Sequence, residues 1–440
     1  MLQKLTDFFA VYRDRKMLAM LALGFASGFP FPLVFNTLSL WLKFDNLSLE
    51  IIGIFSLSKL PYSFKWLWAP LIDKIRLPLL GSMGQRRSWA LFAQILIAAA
   101  VIALAFSSPA ENYLVSFGLA VFLAVSSATL DIALDAYRVE SFPPAGQAAA
   151  SASFVTGYRL GFLFSGAGAL YLAEIFDWNA VYLLMSLGTL LGIVTICRSP
   201  EPQNSRKQPA KTYRGFSDFF QSAAIAPLKD FIRHQNWQLI LLFVFFYRMS
   251  DAYISPMAYV FYKDIGFDYR DIASITKVFG VLATIGGVFI GGALLSRVSL
   301  NKGLVICGIL QTLSNLTYAV QAHVGDNPYM LMVTIFVENV SGGMGTAAFM
   351  AYIASLCNIA YTATQYALLS SLMSLARDGL SATSGWMAQT LGWGNFFVFS
   401  TLIGFPGLII LFILIRRQNR TAAINNAENR RSDAKPRRQP

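Results

Sequence analysis

Histidine and cysteine are nearly missing from this 440-residue chain, which has two of the first and three of the second. His234 and His323 stand apart beside loops, and Cys197, Cys307 and Cys357 show no CxxC spacing. Neither a metal centre nor a disulfide framework is expected. A nucleophile elbow, a phosphate-cradling glycine loop and a zinc helix are missing as well, so no catalytic residue, no enzyme activity and no cofactor is expected. Charge is scarce: 13% of residues are charged against 55% hydrophobic, and the mean hydropathy is +0.53. That balance excludes an ordinary soluble protein of this length.

What the chain has in abundance is long apolar runs. Twelve segments of about 20 residues or more recur, at 17–42, 50–72, 89–108, 112–137, 148–173, 179–197, 237–262, 271–295, 302–322, 328–356, 364–391 and 394–415. Each is long enough to cross a bilayer as a helix. The first follows basic residues but is too long for a cleaved leader, so it reads as a retained span. The expected fold is an all-α membrane protein with twelve transmembrane helices.

The net charge of +12 raises nucleic acid as a partner, but its placement points to a membrane: 26 of the 35 Lys and Arg fall in the terminal segments and the loops on the same side. This asymmetry predicts both termini in the cytoplasm. The longest polar interruption, 198–236, splits the spans six and six, so the expected organisation is a first bundle over 1–197, a linker over 198–236, a second bundle over 237–415 and a basic, disordered tail over 416–440. A helix lying on the inner leaflet is expected over 216–231. The halves echo one another: TGYRLG at Thr156 parallels LARDGL at Leu375, and WLKFDNLSLEIIG at Trp41 parallels FYKDIGFDYRDIA at Phe261. Weak internal similarity of two six-span halves is the mark of parallel-repeat transporters.

Charges retained inside spans mark the transport route, because an ion in hydrocarbon is kept mostly where it meets a partner or water. Helix rise places Lys59, Arg159, Arg248, Asp251, Glu338, Arg377 and Asp378 near mid-membrane, with Lys277 somewhat farther out. Five cations against three anions leave an excess of two, suited to a substrate with carboxylates that Arg grips in a fork. Lys59, Arg159, Arg248, Lys277 and Arg377, with Asn339, are the expected binding residues, and Tyr62, Tyr158, Tyr247 and Tyr366 offer flat faces to sugar rings. Glu338, Asp251 and Asp378 are the expected proton-coupling carboxylates. Arg248 and Asp251, three apart, could also simply neutralise each other. Asp131 and Asp135 share a helix face with Arg138 toward the cytoplasmic end, where a gate is expected. Asp73, Arg86 and Arg87 are expected to form a conformational latch. Lys65 is placed to snorkel to the inner surface. SGGMG at Ser341 either packs α-helices closely or breaks one beside Glu338.

Several longer stretches carry a family resemblance: WAPLIDKIRLPLLGSMGQRRSW from Trp68, DIALDAYRVE from Asp131, YRMSDAYISP from Tyr247, TKVFG from Thr276, FVENVSGGMGTAAFMAYIASLCN from Phe336 and TATQYALLSSL from Thr362. The first is similar to the loop signature of the major facilitator superfamily, and together they resemble the AmpG muropeptide permeases over nearly all of the first 415 residues. The resemblance implies a major facilitator fold of two pseudo-symmetric six-helix bundles. It also implies proton-coupled import of GlcNAc-anhydroMurNAc peptides across a bacterial inner membrane, during cell-wall recycling. The alternative it leaves open is another large anionic solute, such as an acetyl-coenzyme A-type or nucleotide-like compound. The expected partners are that substrate, a proton and the bilayer, with the protein a monomer.

Overall fold

A computed structural model describes residues 12, 14–78, 80–202, 218, 221–255, 257–267, 272–381 and 383–433, with the side chains of 49, 50, 53, 56, 224, 273, 274, 277, 278, 376–381 and 422–433 outside that description. Every regular element among the described residues is helical, and they string into twelve segments. These are α1 (Arg15–Phe44), α2 (49–74), α3 (Gln85–Ala105), α4 (Tyr113–Ser141), α5 (147–173), α6 (Trp178–Arg198), α7 (Trp237–Asp264), α8 (272–295), α9 (Leu300–Val324), α10 (Pro328–Leu356), α11 (362–391) and α12 (Trp393–Asp433).

Among the described residues, seven helices are long and apolar enough to count as membrane spans by themselves. The rest are interrupted, or, in α10, diluted by Glu338, Asn339 and glycines. Segment α2 alternates short α and 3-10 turns around Pro61 and Pro70, because proline removes a backbone donor and clashes with the preceding turn. Segment α5 carries a π turn at Phe164–Gly168, and α7 breaks at Arg248, whose backbone leaves the helical region at φ −111°. Backbone freed at breaks is re-satisfied by neighbours, as hydrocarbon requires: Tyr182 donates to the Leu33 carbonyl at 2.9 Å and Thr37 to the Ser165 carbonyl at 3.2 Å.

Glycines set the closest approaches. A Cβ on Gly24 or Gly28 would land on the α5 backbone, one on Gly157 or Gly161 on the α1 backbone, and one on Gly287 or Gly343 on the facing backbone of α10 or α8. Segment α10 runs unbroken through SGGMG, so of the two readings of that motif close packing is the one realised. One core lies mainly in α1–α6 and takes in Ala363 and Ala367 of α11, two lie mainly in α7–α12, one of them taking in Ala148 of α5, and a small fourth joins Ala152 of α5 to Val288 and Ala347. The halves meet through α5 against α8 and α10, and through α2 and α4 against α11.

Two connecting regions differ from expectation. In the linker a π turn Gln221–Ile225 leads into the α-helix Ala226–Ile232, with 216, 217, 219 and 220 of the expected 216–231 helix outside the described residues. This α-helix docks on the start of α11 and the turn before it: Asp230 accepts from the Gln365 and Asn358 side chains, and Phe231 is 2% exposed. Segment α12 continues to Asp433, past Gln418 where disorder was expected, since the Ala-, Glu- and Arg-containing stretch has adequate helix propensity.

Candidate functional site: a central cavity and a latch between the halves

The break in α7 places Arg248 and Asp251 on a cavity of about 450 Å³, within the range of small-molecule sites. Arg159 on α5, Glu338 and Asn339 on α10, and Tyr259, Tyr262 and Tyr318 line it with them. The Arg248 guanidinium donates to Thr346 Oγ1 at 2.6 Å and lies 3.3 Å from Asp251, which also accepts from Gln311 Nε2 at 2.5 Å. This network fits because Gly345 has no side chain: a Cβ there would strike the Gln311 amide. Glu338 accepts from Asn339 Nδ2 at 2.7 Å, and Asn339 Oδ1 accepts from Thr284 at 2.6 Å. Arg159 is exposed into the cavity and makes no hydrogen bond or ion pair among the described residues.

Several expectations are corrected here. Of the eight charges expected at mid-membrane, Arg159, Arg248, Asp251 and Glu338 line the described cavity, while Lys59 stands outside its lining with Nζ 5.2 Å from the Phe35 ring. The side chains of Lys277, Arg377 and Asp378 lie outside the described residues. Tyr247 is a packing residue, 3% exposed, stacked on Phe349 and donating to the Leu304 carbonyl at 3.1 Å. Tyr62 packs against Phe31 and Phe35, and Tyr158 is half-buried where α5 passes Gly28. Neither lines the cavity.

At the end of the bundle that carries the start of α1, the halves are joined by charge. Asp73, 3% exposed at the end of α2, accepts from the backbone N–H groups of Ala363 and Thr364 at 3.1 and 2.8 Å and from the Thr364 hydroxyl at 2.6 Å, all on α11. Arg86 holds Asp73 at 2.8 Å and Glu140 at 2.6 Å. Arg138 reaches across from α4 to the Tyr366 hydroxyl at 2.7 Å, with Ser151 at 2.6 Å and Asp135 at 3.4 Å beside it. Tyr366 therefore sits in this contact and not in the cavity. Asp131 accepts from Ser27 at 2.5 Å, and Lys65 is buried with Nζ 4.0 Å from Asp135 instead of snorkelling. Arg87 stays within the first half: it donates to the carbonyls of Ile196 and Cys197 at the end of α6. Glu201, whose carboxyl is pushed up by burial and drawn back by the backbone N–H groups of Arg86 and Arg87, caps α3 from the start of the linker.

Sequence reasoning did not pick out Gln311, Thr346, Glu140, Thr364, Tyr259, Tyr262 or Tyr318. Gln311 had a usable signal, a long amide in the middle of an apolar run; the others resemble ordinary span residues until the helices are packed.

Comparison with known proteins agrees with this architecture. The family model described as Major Facilitator Superfamily matches residues 17–377 and 240–439. The chain is 37% identical to the anhydromuropeptide permease of Escherichia coli over 410 residues, covering 93% of this chain and 81% of that protein. It is 35% identical to a Rickettsia conorii transporter named AmpG 4, covering 93% and 99%. Among solved structures, the proton:xylose symporter XylE aligns with a TM-score of 0.69 at 11% identity over 92% and 96% of the two chains. FucP in its outward conformation aligns at 0.67 and 13% over 91% and 98%. The chain belongs to the major facilitator superfamily, in the family of the anhydromuropeptide permeases.

Proposed function

We propose that this transporter imports anhydromuropeptides by alternating access, driven by co-transport of protons. The substrate reading is carried by the 37% identity, over 93% of the chain, to a protein named anhydromuropeptide permease. The cavity suits such a ligand: arginine guanidiniums from both halves for stem-peptide carboxylates, and tyrosines for a sugar. Arg248 is already engaged by Asp251 and Thr346, which leaves Arg159, among the described residues, as the cation that a substrate carboxylate would neutralise. Of the two carboxylates that line the described cavity, Asp251 is ion-paired with Arg248 whereas Glu338 accepts from the neutral Asn339, and Glu338 is our proton carrier. Asp73, Arg86, Arg138 and Tyr366 hold the bundle closed at one end. The concentration of Lys and Arg at that end supports taking it as the cytoplasmic one; we accordingly read the geometry as an inward-closed state of a bacterial inner-membrane protein, and the protein as a monomer.

Uptake of labelled GlcNAc-anhydroMurNAc tetrapeptide into right-side-out vesicles tests this. Accumulation that collapses with the proton gradient is expected. Equal uptake with and without the gradient would remove the coupling. No uptake of this probe, with accumulation of an acetyl-coenzyme A-type anion, would remove the substrate assignment.

A further inference from the structure

The arginines and the tyrosines of the cavity lie at two depths, with Phe245 on the latch side of Arg248. Arg159, Arg248, Asp251 and Glu338 occupy the middle of their helices. Tyr259 follows Asp251 by eight residues on α7, and Tyr318 follows Gln311 by seven on α9. At 1.5 Å per residue these tyrosines stand roughly 10–12 Å beyond Asp251 and Gln311, toward the end away from the latch. Tyr262 and Tyr318 are 1% and 2% exposed and stack at 6.2 Å and 21°, with their hydroxyls 3.1 Å apart. One hydroxyl proton closes that bond, and the other is available to a ligand oxygen. Tyr259 meets Tyr262 edge-on at 6.1 Å and is 51% exposed, its ring a face of the cavity. An aromatic face beside a spare hydroxyl is what a sugar presents a partner for: C–H groups on the ring plane and hydroxyls at its rim.

We propose that the site is bipolar, with the Tyr259, Tyr262 and Tyr318 shelf seating the disaccharide and the deeper Arg159 layer seating the peptide, so that the substrate lies along the transport axis peptide-inward. This rests on the muropeptide reading above and adds the orientation of the ligand and the residues that read each part of it. The assignment separates two contributions that any single cluster of contacts would merge. Truncating the shelf weakens the sugar wherever the sugar is present, and truncating Arg159 acts only when the peptide is attached.

Equilibrium binding to the full-length protein in nanodiscs, with the anhydro-disaccharide alone and with the same disaccharide carrying a tetrapeptide, reads this out. Tyr259→Ala is expected to weaken both probes by the same factor, roughly two- to tenfold, while Tyr259→Phe, which keeps the ring, binds as wild type. Arg159→Gln is expected to weaken the peptide-bearing probe toward the affinity of the bare disaccharide and to leave the latter unchanged. Tyr259→Ala that leaves both probes unchanged, or weakens only the peptide-bearing one, overturns the orientation, and so does Arg159→Gln that weakens both alike. Wild-type protein that binds neither probe overturns the muropeptide reading itself, and the orientation with it.

Discussion

Asp73→Asn is the sharpest perturbation of the latch. The carboxylate accepts three bonds from α11: the Thr364 N–H and hydroxyl reach Oδ2, while the Ala363 N–H shares Oδ1 with Arg86. Asparagine keeps one oxygen, which can hold the two Thr364 donors. Its amide then points donors at Ala363 and Arg86, so one inter-half bond is lost, a second contact becomes repulsive and the rest lose their charge assistance. At about 1.5–3 kcal/mol for a hydrogen bond to a charged group, the closed state weakens by about 2–4 kcal/mol, or roughly 30- to 1000-fold in the closed-to-open ratio. The cysteines supply the assay. Cys357 is half-buried at the turn between α10 and α11, Cys197 is exposed and Cys307 is buried in the second half. Maleimide labelling resolved by peptide mass spectrometry should show Cys357 reacting faster relative to Cys197 in the variant, with Cys307 unreactive in both. An unchanged ratio of Cys357 to Cys197 in folded, inserted protein would refute the latch, and loss of substrate affinity in a conformationally locked form would make Asp73 a binding residue instead.

Tyr366→Phe removes one hydrogen bond between the halves, from Arg138, and should raise Cys357 labelling by a smaller factor, about fivefold for about 1 kcal/mol; no rise at all would confine Tyr366 to packing. Glu338→Gln should abolish proton-driven accumulation and preserve exchange down a gradient, because exchange proceeds with the carrier permanently neutral; accumulation at the wild-type level, with the gradient verified intact, transfers the role to Asp251 or to Asp131 and Asp135. Gly345→Ala should displace Gln311 from Asp251 and lower thermal stability by about 1–3 kcal/mol of overpacking, with Gly345→Ala/Gln311→Ala recovering part of that loss; a double variant less stable than the single would show that the clash lies elsewhere.

The fold was legible because its signal is one-dimensional: apolar length, loop charge and the repeat of halves need no knowledge of contacts. The central charges were legible for a related reason, since an ion in hydrocarbon announces itself by cost. Partners were not. Arg248 and Asp251, three apart, were read as either a site or a self-neutralising pair, and the structure makes them both lining and pair, with Thr346 and Gln311 supplied from α10 and α9. Tyr247, Tyr366 and Tyr259 are all tyrosines inside apolar spans, and only packing separates a core ring, an inter-half bond and an open face. Lys65 was read from its distance to the membrane surface, but burial beside Asp135 decides its direction. Asp73 and Arg86 were read as a latch from their position, and the residues that Asp73 meets, at the start of α11, lie some 290 residues away in the chain, beyond the reach of any local pattern.

The division of charges between the halves limits how coupling can work. Arg248, Asp251, Gln311, Thr346, Glu338 and Asn339 all belong to α7, α9 and α10, so a rigid rocking of the second half carries their network along unchanged. Arg159 belongs to α5, in the first half, and faces the same cavity without a partner among the described residues. Rocking therefore changes the distance from Arg159 to Glu338 and leaves Arg248 to Asp251 fixed. A signal that couples a proton to a conformational change must differ in energy between the two conformations, and of these described charges only the interactions of Arg159 with the second half do so, among which Glu338 is the carboxylate not already ion-paired. When Glu338 is ionised, Arg159 can be drawn to it; when Glu338 is protonated, Arg159 is left for a substrate carboxylate. Arg159→Lys keeps the charge and loses the fork, so it should retain proton-dependent binding at reduced affinity. Arg159→Gln should bind the peptide-bearing ligand with an affinity that no longer depends on pH, and a pH dependence that survives in Arg159→Gln would move the coupling off this pair.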